Sequence, residues 1–405
     1  MALELSTKIP FGNACDVCIE KREGMTEVSF AADPHGGPES LWFCFRLQRS
    51  KAGKKTGAPV RLVLKHSENM LGMGQALRAR PVARYDEGEW ERLEAPSVEA
   101  LPDGRQLVVW QIARPQTFVD IAFCYPYGKP ELESTLSDTE GYWKADVIGV
   151  SQGARPLVRL SNDYGLPEGE RPGIYVVARQ HSGETTGSWV LDGFLREMAR
   201  LGDAAPLVWA VPFTNIDGVE QGDYGKDNFP YDLNRSWGVT PMRHETLVYQ
   251  RDVARWKQRC RPMLGIDFHS PGGTETTGVY VFAQKPDNAP EAHKRCLAWT
   301  SAVEGKLKPE YAAEDFCRIA RYPSRWELPN FTSFCGMAHD LCAFSVETAY
   351  SFSGDLLLTI ENYREIGQRI AQGVVEQVQR TLAEPPTPPP APTAKKRATT
   401  KRPKG

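Results

Sequence analysis

His181, Ser182, Gly183 and Glu184 stand directly after the apolar run Gly173-Ile174-Tyr175-Val176-Val177-Ala178, and Asp267-Phe268-His269 closes a second such run. Two imidazoles and a carboxylate at two strand ends form the donor set of a zinc site. His-x-x-Glu at the mouth of a loop lets both side chains turn toward one point, and a third ligand from a neighbouring strand completes the set. Three protein ligands leave one position open for water, which suits catalysis rather than a structural staple. The spacing alone is also that of a surface pair at a helix start, so the surrounding residues must carry the decision.

Ligands at strand ends require a sheet whose carboxyl edge is open, the place where loops converge in α/β folds. His181 follows one apolar run, His269 ends another, and Glu347 in Phe344-Ser345-Val346-Glu347-Thr348 ends a third, which puts all three on one sheet edge. Apolar runs at 174–178, 207–211, 263–268, 279–282 and 343–346 alternate with helical segments, the pattern of buried strands in an α/β sheet. Residues 187–201 have the spacing of an amphipathic helix, with Trp189, Phe194, Leu195 and Met198 available for packing. A final helix is expected over 363–382, with Ile366, Ile370, Val374, Val375 and Val378 on one side.

The first part of the chain has a different texture. Segments 41–47, 60–65 and 107–112 are short, rich in β-branched and aromatic residues and partly alternating, and Asp86-Glu87-Gly88-Glu89 has the make-up of a hairpin turn. A chain of 405 residues exceeds the roughly 250 to 300 at which single cores stop growing. The expected fold class is therefore α/β, with an N-terminal β-sandwich over residues 1–145, a mixed-sheet α/β catalytic domain over 146–383 and a disordered tail over 384–405.

Composition narrows the function classes. No stretch of about 20 apolar residues exists and the N-terminus lacks a basic, apolar leader, so no membrane partner and a cytoplasmic location are expected. Nine scattered cysteines do not form a disulfide framework, and Cys15-x-x-Cys18 is a single pair without histidines beside it. The net charge of −2 conceals a basic tail, with six Lys/Arg against Glu384 after a proline run at 385–390. No aromatic residues interleave with those cations, so nucleic acid is not the expected partner.

Taken together, Ala178-Arg179-Gln180-His181-Ser182-Gly183-Glu184-Thr185 with Ser188-Trp189, then Asp232-Leu233-Asn234-Arg235, Asp267-Phe268-His269 and Phe344-Ser345-Val346-Glu347 resemble the zinc carboxypeptidases of the carboxypeptidase A superfamily. Within it they look most similar to the cytosolic carboxypeptidase branch. Cys124-Tyr125-Pro126-Tyr127 resembles the segment that joins that branch's β-sandwich to its catalytic domain. The resemblance implies one Zn2+ per chain, held by His181, Glu184 and His269, with Glu347 as general base for a metal-activated water. Asn234 and Arg235 match the pair that grips a substrate's terminal carboxylate. Asp232 matches a carboxylate that orients a zinc-bound histidine.

Two positions depart from that pattern. Where the branch has an oxyanion-stabilising arginine ahead of the Asp-x-Asn-Arg motif, Gly222-Asp223-Tyr224-Gly225-Lys226-Asp227 offers Lys226, a point charge without a guanidinium's fixed geometry. For the tyrosine that closes over substrate in pancreatic-type relatives, Tyr322 is the nearest phenol. Arg318, Arg321 and Arg325 fall where the family builds its specificity pocket, which points to acidic C-terminal residues by charge complementarity. The expected activity is metallocarboxypeptidase hydrolysis of peptide or protein C termini. The alternatives are a zinc amidase of small acylated amino acids and a binding protein on the same fold.

Overall fold

The computed structural model describes residues 3–22, 24–49, 59–321 and 324–383. The proposed tail, 384–405, lies outside the described residues.

Two five-stranded sheets form the N-terminal part. One runs in the order Leu3–Ser6, Cys44–Arg49, Phe118–Ala122, Val82–Tyr85, Glu91–Arg92; the other in the order Cys15–Arg22, Met25–Ala31, Val60–Leu64, Gln106–Ile112, Ser97–Ala100. All pairings are antiparallel except that of Met25–Ala31 with Val60–Leu64. Period-two alternation turns Phe45 and Leu47 inward and leaves Arg46 and Gln48 on the other face. Phe30 of one sheet meets Phe43 and Phe45 of the other at ring distances of 5.0 and 4.6 Å, so the sheets pack face to face. The hairpin at residue 86 is present: Asp86 takes φ 52° and the Gly88 N–H donates to the Tyr85 carbonyl.

The chain leaves this sandwich at Ala122 and runs through the buried Cys124, Tyr125 and Tyr127. It then forms the helix Lys129–Asp138, whose Thr135 donates to Asp192 on the helix Thr185–Leu201. A third sheet begins with Lys144–Val150.

That third sheet has eight strands in the order Lys144–Val150, Pro156–Ser161, Leu207–Val211, Pro172–Ala178, Arg261–His269, Ala343–Glu347, Val279–Ala283, Ala312–Ile319. Its four central strands are mutually parallel, whereas Val279–Ala283 runs antiparallel to Ala343–Glu347, so the sheet is mixed. Helices cover both faces. Phe194 of Thr185–Leu201 meets Phe268 on one side, while Trp256 and Phe331 meet Tyr175 on the other.

The helix Thr185–Leu201 packs on Ile360–Ala383 almost backbone to backbone. A Cβ on Gly193 would lie 1.9 Å from the Arg364 carbonyl oxygen, and one on Gly367 would lie 1.9 Å from that of Val190. The last helix begins before the expected 363 because Thr359 and Asn362 cap it reciprocally: the Thr359 N–H donates to Asn362 Oδ1 and the Asn362 N–H to Thr359 Oγ1. Among the described residues no helix is long and apolar enough to cross a membrane, and all nine cysteines are free.

Candidate active site

The turn after Pro172–Ala178 is built to aim side chains at one point. Arg179 sits in the left-handed region at φ 61°, and its buried guanidinium donates to the Ser182 carbonyl, the Tyr127 carbonyl and Ser188 Oγ. That arrangement fixes the loop without a carboxylate partner. Glu184 then falls at the start of the helix Thr185–Leu201, where a negative side chain is favoured by the exposed N–H groups. On Arg261–His269, residues 267 and 269 project to the same face because side chains repeat every second residue.

His181, Glu184 and His269 converge, with one ligand atom from each lying within 4.8 Å of the others; no other such group of three occurs among the described residues. His181 Nδ1 is 2.8 Å from Glu184 Oε1, and His269 Nδ1 is 2.7 Å from Glu184 Oε2. Each ring turns its Nε2 away, toward a second carboxylate. His269 Nε2 is 2.8 Å from Asp267 Oδ2, and His181 Nε2 is 3.5 Å from Asp232 Oδ2. Nδ1 inward and a carboxylate behind Nε2 is the arrangement that orients metal-binding histidines. All five side chains are buried. The residues present therefore fit a divalent cation of zinc type.

The electrostatics agree with a site made for positive charge. Burial would raise the Glu184 carboxyl, but the two imidazoles outweigh it and hold the group well below the usual carboxylate range. Asp232 is likewise depressed, its burial overcome by His181. Burial would lower His269, yet Asp267 and Glu184 push it well above the ordinary imidazole value.

Glu347 stands beside this centre by strand register: it pairs with His269 on one side and with Tyr280 on the other. Burial pushes its carboxyl up to about 7, with Glu184 adding to the rise and His269 and Lys226 opposing it. It nevertheless keeps some exposed surface, so water can reach it. The centre opens into a cavity of about 180 Å³ bordered by His181, Glu184, His269, Glu347, Lys226, Asn234 and Arg235. Glu275, Tyr280, Phe282, Ala320, Asn330 and Ser345 also line it. A larger cleft of about 510 Å³ lies between the sandwich and the helix Lys129–Asp138, but it holds none of these groups. Both arginines of its lining, Arg46 and Arg84, are already paired with Asp120.

Asn234 and Arg235 follow Asp232 on a single 3₁₀ turn, which Asp232 caps by accepting from the Asn234 N–H at 2.7 Å. Asn234 Oδ1 accepts from Gln180 Nε2 and from the Phe331 N–H, which leaves Nδ2 against His269 Nε2 at 3.0 Å. Arg235 borders the cavity and donates to Ser324 Oγ and to the Asn234 carbonyl.

Of the other candidates, Arg321 and Arg325 do not line the cavity. Arg321 is exposed and outside the lining, and Tyr322 lies outside the described residues. Arg325 also stays outside the lining, because Glu39 and Asp227 hold its guanidinium. Arg318 is the arginine of that segment nearest the cavity wall, paired in register with Phe282, stacked 3.6 Å above the Tyr280 ring and 3.7 Å from Glu275. His35 and His339 sit elsewhere, against Asp223 and Lys257 respectively.

Asp267, Gln180 and the Tyr280–Phe282 wall had no assigned role in the sequence. Asp267 and Ser345 could have been found from strand periodicity, since each lies two residues before a site residue. Gln180 carries no such signal: it bridges Asp267, Asn234 and Trp237 across three segments.

The fold is one shared with metallo-carboxypeptidases. It matches that of a metallo-carboxypeptidase from Burkholderia cenocepacia with a TM-score of 0.76, covering 94% of this chain and 100% of that one at 17% identity. A carboxypeptidase structure from Burkholderia mallei matches with a TM-score of 0.73 over 94% of this chain and 98% of that one, at 19% identity.

In sequence, the chain is 29% identical to cytosolic carboxypeptidase 6 of Mus musculus over 179 residues, which is 39% of this chain and 33% of that protein. It is 23% identical to cytosolic carboxypeptidase 1 of Gallus gallus over 336 residues, 69% of this chain and 26% of that protein. The chain thus spans less than half the length of these relatives. Residues 170–313 also match the succinylglutamate desuccinylase/aspartoacylase catalytic domain. The comparisons agree with the resemblance read from the motifs: the chain is similar in sequence to cytosolic carboxypeptidases and in fold to metallo-carboxypeptidases.

Proposed function

We propose that the protein is a zinc-dependent metallocarboxypeptidase that removes single residues from peptide or protein C termini in the cytoplasm. The observation that carries the reading is the His181–Glu184–His269 triangle with Glu347 in register beside it and two cations, Lys226 and Arg235, in the same cavity. Bound at the triangle, zinc would act as a Lewis acid, lowering the pKa of a water and polarising the scissile carbonyl.

The chain's own residues supply the rest. Glu347 takes a proton from the attacking water and delivers it to the leaving amine. Lys226 faces the negative charge that develops on the carbonyl oxygen. Arg235, with Asn234 beside it, grips the terminal carboxylate and thereby restricts cleavage to chain ends. Asp232 and Asp267 hold the two imidazoles in orientation. The proposed preference for acidic terminal residues rests on Arg318, which stacks on the cavity-lining Tyr280.

A second reading, hydrolysis of small acylated amino acids, is favoured by the match of residues 170–313 to a desuccinylase and aspartoacylase catalytic domain. Both reactions use the same metal set, so substrate must separate them. Zinc-loaded protein is incubated with a C-terminally varied peptide set and with N-acyl amino acids, and released amino acid is measured. We expect release from peptides, abolished by chelation and restored by zinc. Release from N-acyl amino acids alone would overturn the peptidase reading.

A further inference from the structure

Lys226 lies in a segment, residues 222–229, that has no regular secondary structure beyond the turn at its centre. Its shape is imposed from two sides. On the metal side, the Gly183 N–H donates to the Tyr224 carbonyl at 2.8 Å, Ser182 Oγ to the Asp223 carbonyl at 3.0 Å, and the Asp227 N–H to Asp232 Oδ2 at 3.1 Å. On the opposite side every partner belongs to the sandwich. Asn13 Nδ2 donates to the Gly222 carbonyl at 2.9 Å, His35 Nδ1 lies 2.6 Å from Asp223 Oδ1, and the Phe229 N–H donates to the Gly36 carbonyl at 2.7 Å.

Arg325 closes this clamp. Its Nη1 is 2.5 Å from Glu39 Oε1 of the sandwich loop and also donates to Asp227 Oδ2, next to Lys226. The side chains of Glu39 and Asp227 are only 14% and 10% exposed, whereas that of Arg325 is 53% exposed. One guanidinium therefore joins two carboxylates that would otherwise repel each other across the junction. The Asp227 backbone continues the connection to Asp232, the carboxylate behind His181.

We propose that the β-sandwich is a working part of the active site, with Arg325 and Glu39 acting through Asp227 as positioning residues for Lys226. This inference rests on the reading of Lys226 as the group that faces the developing oxyanion. It replaces the expectation that Arg325 selects the substrate's terminal residue. A displaced ammonium stabilises charge less well, and misplacement by about 1 Å costs up to roughly a hundredfold in rate.

The test uses the full chain loaded with zinc and two readouts. In hydrogen exchange, Arg325→Met and Glu39→Gln should speed exchange of residues 222–229 while leaving the core strands protected, and Arg325→Lys should stay close to wild type. In steady-state kinetics on the best-cleaved peptide, Arg325→Met should lower kcat about ten- to a hundredfold with KM within about twofold and zinc content unchanged. Added to Lys226→Met, Arg325→Met should cost little more. Unchanged exchange at 222–229, a rise in KM alone, or multiplicative losses in the double variant would overturn the proposal. If Lys226→Met alone retains full kcat, it is the reading of Lys226 that fails; if Lys226→Met is impaired while Arg325→Met is not, the positioning role alone fails.

Discussion

Asp267→Asn should weaken zinc binding more than Asp232→Asn, because the two carboxylates hold their histidines with unequal grip. Asp267 Oδ2 lies 2.8 Å from His269 Nε2, whereas Asp232 Oδ2 lies 3.5 Å from His181 Nε2; each oxygen also accepts from one neighbour, Gln180 Nε2 and the Asp227 N–H respectively. Both carboxylates are buried, so little water replaces them. Losing a carboxylate behind a metal-bound histidine generally costs ten- to a hundredfold in metal affinity, or about 1.4 to 2.7 kcal/mol. The tighter Asp267 contact belongs at the upper end of that range and the looser Asp232 contact at the lower. The asparagine keeps the size of the side chain and removes the charge, so packing around Gln180 is conserved. Competition of each variant with a fluorescent chelator at pH 7 measures the two affinities directly. Equal affinity of Asp267→Asn and wild type, or a larger loss in Asp232→Asn, would refute the assignment of His269 Nδ1 as a ligand backed by Asp267.

Glu275→Gln should remove one of the two acids beside Arg318, leaving Asp315 at 3.6 Å, and raise kcat/KM on peptides ending in glutamate up to about fivefold, the equivalent of roughly 1 kcal/mol for a part-exposed pair. Peptides ending in alanine should be unaffected; a fall on glutamate peptides would show that Arg318 does not meet the terminal side chain. His339 supplies a pH prediction away from the metal: burial first, then Lys257, lowers its imidazole to about 4 from the ordinary 6.5. The unfolded chain therefore takes up this proton first, and stability is lost as pH falls from about 6.5 toward 4. Because the ring is only half buried, we expect His339→Gln to flatten the pH dependence of the unfolding free energy from urea titrations over that window by about 1 kcal/mol, and an unchanged pH profile would contradict the assignment.

Much of this arrangement was legible in the chain because it depends on local rules. Apolar runs of four to six residues marked the parallel strands, and His181, His269 and Glu347 fell at their carboxyl ends, which is where an α/β sheet exposes its loops. Alternation in 41–47 and 107–112 marked the sandwich for the same reason. What remained hidden depends on contacts between distant segments. Arg325 looked like a pocket residue by its position before Glu347, but its charge is taken by Glu39, 286 residues away in sequence. The contacts of Gly193 and Gly367, which let two helices meet at their backbones, also lie far apart in the chain. The Thr359 cap was local and readable, yet the apolar periodicity that defined the last helix starts only with Tyr363 and Ile366.

Glu347→Gln tests the central claim most directly, since it exchanges one oxygen for an amide beside an otherwise intact metal set. The measurement is zinc content and single-turnover rate on the same purified sample. We expect one zinc per chain, as in wild type, with turnover reduced by about a hundred- to ten-thousandfold, the contribution of a general base. Full zinc occupancy with undiminished turnover would contradict the role given to Glu347, and with it the reading of this cavity as a hydrolytic site.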